Sequence, residues 1–518
     1  MTHLINPDSS RRLFLRQAGA MATLGAAGPL ALNLAALGSA SAQTAGDYKA
    51  LVCIILFGGN DSYNMVLPTD TASWSAYSTV RNQAPESIAL LAPGTAVNAA
   101  AAVGSPARLG GVLPIMPLNA QGRSFALHPS LTTLQAMFNT DRRLAVVPNV
   151  GPLVLPTTKA QYAQASHPRP ASLFSHNDQQ NTWQAFQPEG ATVGWGGRLG
   201  DLMAAGNQRA IFTAISASGN AVWLSGQSVR QYQVGGSGAI RMGADANGRI
   251  YGSTAVAAAM DRIVRNGRGG HVFEGDLGAV AQRSIDAELA LRAALKPASD
   301  PLFGTAPASG AYNANNDPKL RYAPDALAPA TTAFNSLAQQ LQVVARMIEA
   351  RSNASIGATR QVFFVSVGGF DTHDAQNRNQ ADLMARLGHA MRYFDTTLGA
   401  IGARNQVTAF TASDFGRTFT SNGDGTDHGW GSHHLVMGGA VRGGDFYGNF
   451  PALTLKNTNN NNFDGSPNQL DNGKLLPEVA VDQFGATLGK WFGATDTQLL
   501  DVFPNLANFS NRNLGFTL

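Results

Sequence analysis

Ala50–Asn64 reads ALVCIILFGGNDSYN. The unbroken apolar run up to Phe57 lacks the alternation of a half-solvated strand. It predicts a strand buried on both faces, closed by a tight turn at Gly58-Gly59. Similar runs predict further strands at Leu144–Val150, Ala210–Ile215, Gln361–Val367, Val407–Thr411 and Leu435–Gly438. Between them lie helical patterns. Ser130–Phe138 is one. Phe334, Leu337, Leu341, Val344 and Ile348 share one helical face, and Leu383, Leu387, Met391, Phe394 and Leu398 share another. Phe484, Leu488 and Trp491 mark a last helix, closed by Gly493. Strands alternating with helices predict an α/β fold, a mostly parallel sheet with helices on both faces. The texture changes over 219–330, where glycine, alanine and polar residues surround helical patches such as Ala279–Leu295. This segment reads as a helical cap inserted into a domain spanning 43–518.

The 518 residues and 44% hydrophobic content allow a large core. Residues 1–42 read as an export signal. Arg11-Arg12 is followed by Phe14 and Leu15, an Ala-rich apolar run and an Ala40-Ser41-Ala42 cleavage signal, the twin-arginine type. The expected partner is therefore the twin-arginine export machinery, and the expected location is periplasmic or secreted. No other apolar run reaches the roughly 18 residues of a membrane span. Losing Arg11, Arg12, Arg16 and Asp8 removes three of 37 basic and one of 33 acidic groups, leaving a net charge near +2. With no basic stripe, no nucleic-acid partner is expected. The one cysteine, Cys53, falls inside the first strand and reads as core.

Ligands of open α/β sheets bind beyond the carboxyl ends of the strands. Four such ends carry acid or imidazole groups: Gly58–Asn64 with Asp61; Phe174–Asp178 with Ser175 and His176; Gly369–Asp374 with Asp371 and His373; and Ser413–Arg417 with Asp414, continuing to Asp427-His428 and His433-His434. Singly, an Asp after a strand is commonly a helix cap, and a lone histidine is commonly structural. Together these groups suit Zn, Mn or Fe, whereas all-oxygen subsets suit Mg or Ca. No thiolate is on offer. Arg417 either holds an oxygen of an anionic substrate or ion-pairs with Asp414 or Asp424. GGSGAIRMG, Gly235–Gly243, is a poor dinucleotide fingerprint.

The set GGNDSYNMVLP, LHPSL, FSHNDQQNTW, GGFDTHDAQ, SDFGRTF and DHGWGSHHLVMGGAVRGG resembles the domain-of-unknown-function family 1501, related to sulfatases and alkaline phosphatases. The resemblance implies an alkaline-phosphatase-like fold. It implies metal ligation by Asp61, by Asp414, by the pair Asp371 and His373, and by His428 or His433, with Asp427 beside them. It places Ser175 where a nucleophile is expected, next to His176. Two departures stand out: Phe415 replaces a histidine, and no Cys-x-Pro-x-Arg signature is present. Two functions follow. One is a metal-dependent hydrolase of phosphate or sulfate esters or a related small or glycan anion. The other is a non-catalytic protein on the same scaffold, binding a metal, a glycan or a protein partner during assembly.

Overall fold

The first apolar run becomes the middle of a nine-stranded sheet. The computed structural model describes residues 47–240, 244–245, 247–266, 272–457 and 462–518. The expected signal at 1–42 lies outside them, as do parts of Gly235–Gly243 and of the Asn-rich loop after Lys456. The strands are β1 Lys49–Phe57, β2 Leu144–Gly151, β3 Ala214–Ser216, β4 Tyr232–Gly235, β5 Gly238–Ala239, β6 Arg360–Gly368, β7 Val407–Ser413, β8 Ser432–Gly438 and β9 Val479–Ala480. Their order is β9-β2-β8-β7-β1-β6-β3-β4-β5. β1 pairs in parallel with β6 on one side and β7 on the other.

Successive side chains of a strand point to opposite faces, and β1 shows why its run is continuous. Ala50, Val52, Ile54 and Leu56 enter one core, and Leu51, Cys53 and Ile55 enter the other. The helices used below are α1 Thr71–Arg81, α2 Thr132–Asn139, α3 His176–Ala185, α4 Trp195–Met203, α5 Thr254–Asn266, α6 Val272–Ala294, α7 Ser336–Glu349, α8 Gln376–Ala400 and α9 Val481–Phe492. α2, α6, α7 and α8 cover the first core; α3, α4 and α9 cover the second. Gly493 ends α9 at φ 120, a conformation that favours glycine. Burial pushes the Cys53 thiol up, as for an inert core residue.

The structure differs from the sequence reading in four places. The sheet is mixed, because β8 runs antiparallel to both β7 and β2. The chain from Asp414 to Gly431 is pinned across itself, with Gly416 N bonded to Trp430 O at 3.0 Å and Thr418 N to Asp427 O at 2.9 Å. It therefore returns at the same sheet edge instead of crossing over. β8 also starts earlier than expected and takes His433 and His434 into the strand. Ala210–Phe212 is a 3₁₀ turn, and β3 begins only at Ala214. As for 219–330, its described residues supply α5 and α6, but also β4 and β5 at the sheet edge. Tyr232, Val234, Ala287, Leu291, Phe303 and Leu320 join the first core.

The core also holds titratable groups that set its response to pH. Burial pushes His128, His433 and His434 each down from 6.5 to about 3. Their stabilising contribution is present above pH 6.5 and is lost as pH falls towards 3, because only the unfolded chain takes up those protons. That amounts to about 1.4 kcal/mol per histidine per pH unit. Asp482, in the first turn of α9, runs the other way. Burial raises it to about 7 although it accepts Asn505 N at 2.9 Å. Its contribution is full below about 4 and lost as pH rises to about 7. Three histidines outweigh one carboxyl, so the urea midpoint is expected to fall steeply below pH 6. Asp482→Asn is expected to raise the midpoint at pH 8 and leave it unchanged at pH 4. A midpoint flat from pH 7 to 4 would contradict the neutral histidines.

Candidate metal centre

Four segments meet at the carboxyl edge of β1, β6 and β7. The glycine pair after β1 lets them approach. A Cβ on Gly58 (φ +113) would lie 2.3 Å from Asp371 N, and one on Gly59 (φ +85) would lie 2.4 Å from the Phe415 ring. The turn after β6 is held by Phe370 N on Phe57 O at 3.1 Å, which presents Asp371 and His373. β7 delivers Asp414 and Phe415. The return loop brings His428 back opposite Arg417 through an isolated bridge. His176 is the first residue of α3.

His176, Asp371 and His428 each offer a ligand atom, all within 4.8 Å of one another. Asp371 Oδ2 lies 3.4 Å from His176 Nε2, and Asp371 Oδ1 lies 3.3 Å from His428 Nε2 and 3.0 Å from His373 Nε2. The Nε2 atoms of His373 and His428 are 3.0 Å apart. The hydrogen bonds behind the rings decide which nitrogens are bare. His428 Nδ1 faces the Phe174 carbonyl at 2.8 Å and must donate to it, so the lone pair of the neutral ring is on Nε2. His176 Nδ1 meets Asp414 Oδ2 at 2.8 Å. That oxygen already accepts from Gly58 N at 3.1 Å and Gln180 Nε2 at 2.8 Å. His176 therefore donates to it and turns Nε2 inward, where it is buried without a hydrogen-bond partner. This carboxylate–imidazole pattern is how metal-binding histidines are oriented.

The charges agree with that reading. The Asp414 hydrogen bond raises His176 and makes it a stronger base. Burial lowers His428 and keeps it a neutral donor of electrons. Burial opposes ionisation of Asp371, but the hydrogen bond and charge of Arg417, 2.7 Å from Oδ1, outweigh it and hold its carboxyl low. Phe415, buried, lies with its ring centroid 4.8 Å from that of His176 and 4.7 Å from that of His428, a packed floor under both imidazoles. Imidazole nitrogens converging on the Asp371 carboxylate, whose Oδ1 also accepts from Arg417 and whose Oδ2 faces His176, fit a divalent cation of the transition series better than Mg or Ca.

The expected residues divide accordingly. His176, Asp371, His373 and His428 come together. Asp414 stands behind His176. Asp427 stands behind His373, with Oδ1 3.6 Å from its Nδ1. Asp61 stands apart: its carboxylate takes Arg81 Nη1 at 2.5 Å, Arg81 Nη2 at 3.0 Å and Gln376 Nε2 at 2.6 Å, all buried. His433 also stands apart, with Nδ1 accepting Asn149 N at 3.0 Å and its ring 4.6 Å from that of Phe450. Ser175 is the N-cap of α3, with no side-chain cap hydrogen bond. Among the described residues it makes no hydrogen bond to the cluster. Arg417 pairs with Asp371, not Asp414 or Asp424, and its buried guanidinium also donates to Gly58 O and to Thr426. With its donors committed, it is a positioning residue and not a free anion clamp.

Sequence reasoning missed Gln180, Arg81 and the Phe174 carbonyl. Gln180 was detectable as the i+4 neighbour of His176 on one helical face. Arg81 carried no such signal, and a backbone carbonyl carries none in principle.

Residues 279–496 match the family model "Protein of unknown function (DUF1501)". That span contains Asp371, His373, Asp414, Arg417 and His428, while His176 and Asp61 precede it. No curated protein matches the chain. Among solved structures, the crystal structure of Ps i-CgsB in complex with k-i-k-neocarrahexaose is similar at a TM-score of 0.33 and 8% identity, over 90% of this chain and 77% of that one.

Proposed function

We propose that the chain is an exported metal-dependent hydrolase of phosphate or sulfate esters or of a related anionic substrate. The observation that carries this reading is the convergence of imidazole Nε2 atoms on the Asp371 carboxylate at the sheet edge where α/β enzymes bind ligands. Asp371, His176 and His428 would hold the cation, with His373 as a fourth donor. The donor set favours Zn, Mn or Fe. Such an ion supplies a bound water of lowered pKa and an electrophile for an ester oxygen. The chain's own part is to aim the ligands. Asp414 and the Phe174 carbonyl keep the Nδ1 protons of His176 and His428 pointed away, Arg417 holds Asp371 ionised, and Phe415 keeps water from beneath the rings. The motif resemblance to sulfatases and alkaline phosphatases supports the ester class, and the Arg11-Arg12 signal supports periplasmic or secreted placement through the twin-arginine route.

The test is hydrolysis of aryl phosphate, phosphodiester and sulfate esters by mature protein loaded with Zn, Mn or Fe. Turnover lost in His176→Ala and His428→Ala is the expected result. Ser175→Ala is expected to keep turnover within a few-fold, because among the described residues that hydroxyl makes no hydrogen bond to the cluster. Metal binding without turnover on any ester would favour the non-catalytic reading, a metal-bearing binding or assembly protein. Lysines at Arg11 and Arg12 are expected to retain the precursor in the cytoplasm.

A further inference from the structure

A cavity of about 600 Å3 opens along the C-terminal half of α8. His389, on its wall, lies thirteen residues beyond Gln376, where α8 begins, or about 20 Å by helical rise. The other walls come from the stretch around Leu109, from 129–133 at the start of α2, and from 301–327, the end of the segment read as a cap. The volume is that of a small-molecule pocket. Leu109, Leu302, Leu327 and Ala400 supply apolar wall. Tyr322 and Tyr393 add rings whose hydroxyls are tied elsewhere, to Asp382 at 2.6 Å and to Phe303 O at 2.6 Å.

One neutral donor is left over. Asn335 Oδ1 accepts Leu337 N and Ala338 N as the cap of α7, so its amide nitrogen must be the atom 3.1 Å from His389 Nδ1. His389 therefore accepts at Nδ1, and its proton is on Nε2. Burial lowers its pKa and keeps it neutral. The charges at the rim are unbalanced. Arg108 is answered by Asp325 at 2.6 Å and Arg392 by Asp141 at 2.7 Å, while Lys319 Nζ bonds only the Pro301 carbonyl, at 2.5 Å. Among the described residues Lys319 has no carboxylate partner.

We propose that this cavity binds a single-headed anionic amphiphile, a medium- or long-chain carboxylate. The chain lies along the leucine and tyrosine walls, and the head accepts from His389 Nε2–H and is neutralised by Lys319. This ligand is separate from any substrate of the metal centre.

Calorimetric titration of mature protein with laurate and with dodecanol tests the proposal. Saturable laurate binding with a negative heat-capacity change is expected. Ala326 is exposed at the mouth, so Ala326→Trp fills the entrance without disturbing the core. Displacing even two methylenes costs about tenfold in affinity. Lys319→Gln is expected to weaken laurate about two- to five-fold and to leave dodecanol unchanged. Both variants are expected to keep parent metal content and ester turnover, so failure here is distinguishable from failure of the hydrolase reading. The proposal is overturned if the parent shows no saturation at about 1 mM laurate, the weak end of specific binding. It is also overturned if Ala326→Trp binds laurate as the parent does, which would put the binding elsewhere.

Discussion

His428→Ala is expected to abolish stoichiometric metal binding. Its Nε2 lies 3.3 Å from Asp371 Oδ1 and 3.0 Å from His373 Nε2, so alanine removes a donor from the centre of the set. Asp371→Asn should act as strongly, because it removes the anionic ligand and leaves Arg417 buried without its partner. Among the metal-binding groups, Asp414→Asn should act on His176, although the carboxylate oxygen that meets that ring also accepts Gly58 N and Gln180 Nε2. It keeps an acceptor for the ring but loses the charge, a change that typically lowers affinity about 10–100-fold. His433→Ala is expected to leave metal content unchanged while lowering stability. Mass-spectrometric metal content, followed by chelator competition for zinc, ranks these variants. A parent protein that takes up neither zinc nor manganese would sink the metal centre. Equal loss in Asp414→Asn and His428→Ala would make Asp414 a ligand in its own right.

The second large effect concerns Asp61. Its carboxylate and the Arg81 guanidinium are both fully buried in a bidentate pair. Arg81 also donates to Asn64 Oδ1, Phe419 O and Thr418 O, and its guanidinium carbon lies 5.2 Å from the Tyr63 ring centroid. Removing one partner of such a pair leaves an uncompensated buried charge and costs about 3–5 kcal/mol. Asp61→Ala is therefore expected to lower the urea midpoint severely. Asp61→Ala combined with Arg81→Met should recover part of the loss, because no charge is left stranded. Were Asp61→Ala to fold with parent stability and lose metal, Asp61 would be a ligand and its pairing with Arg81 secondary.

Much of the scaffold was legible because burial leaves periodic marks. ALVCIILF announced a strand with two buried faces, and α7, α8 and α9 follow the apolar spacings, except that Phe334 lies in a two-residue strand before α7. The direction of β8 was not legible. It depends on backbone hydrogen bonds across the loop from Asp414 to Gly431, which no side-chain pattern encodes.

The candidate site divides the same way. The sequence alone determined that acids and imidazoles gather after the strands, because strand ends and their ligands are local in the chain. Only the tertiary structure decided which of them converge. His176, Asp371 and His428 meet across 252 residues of chain because three strand ends and one helix start share an edge. Asp61, with the same local signature, is turned away by Arg81, a residue 20 positions on whose charge had to be matched inside the core. Local pattern selects candidates. Desolvation, which leaves no buried charge unpaired, chooses among them.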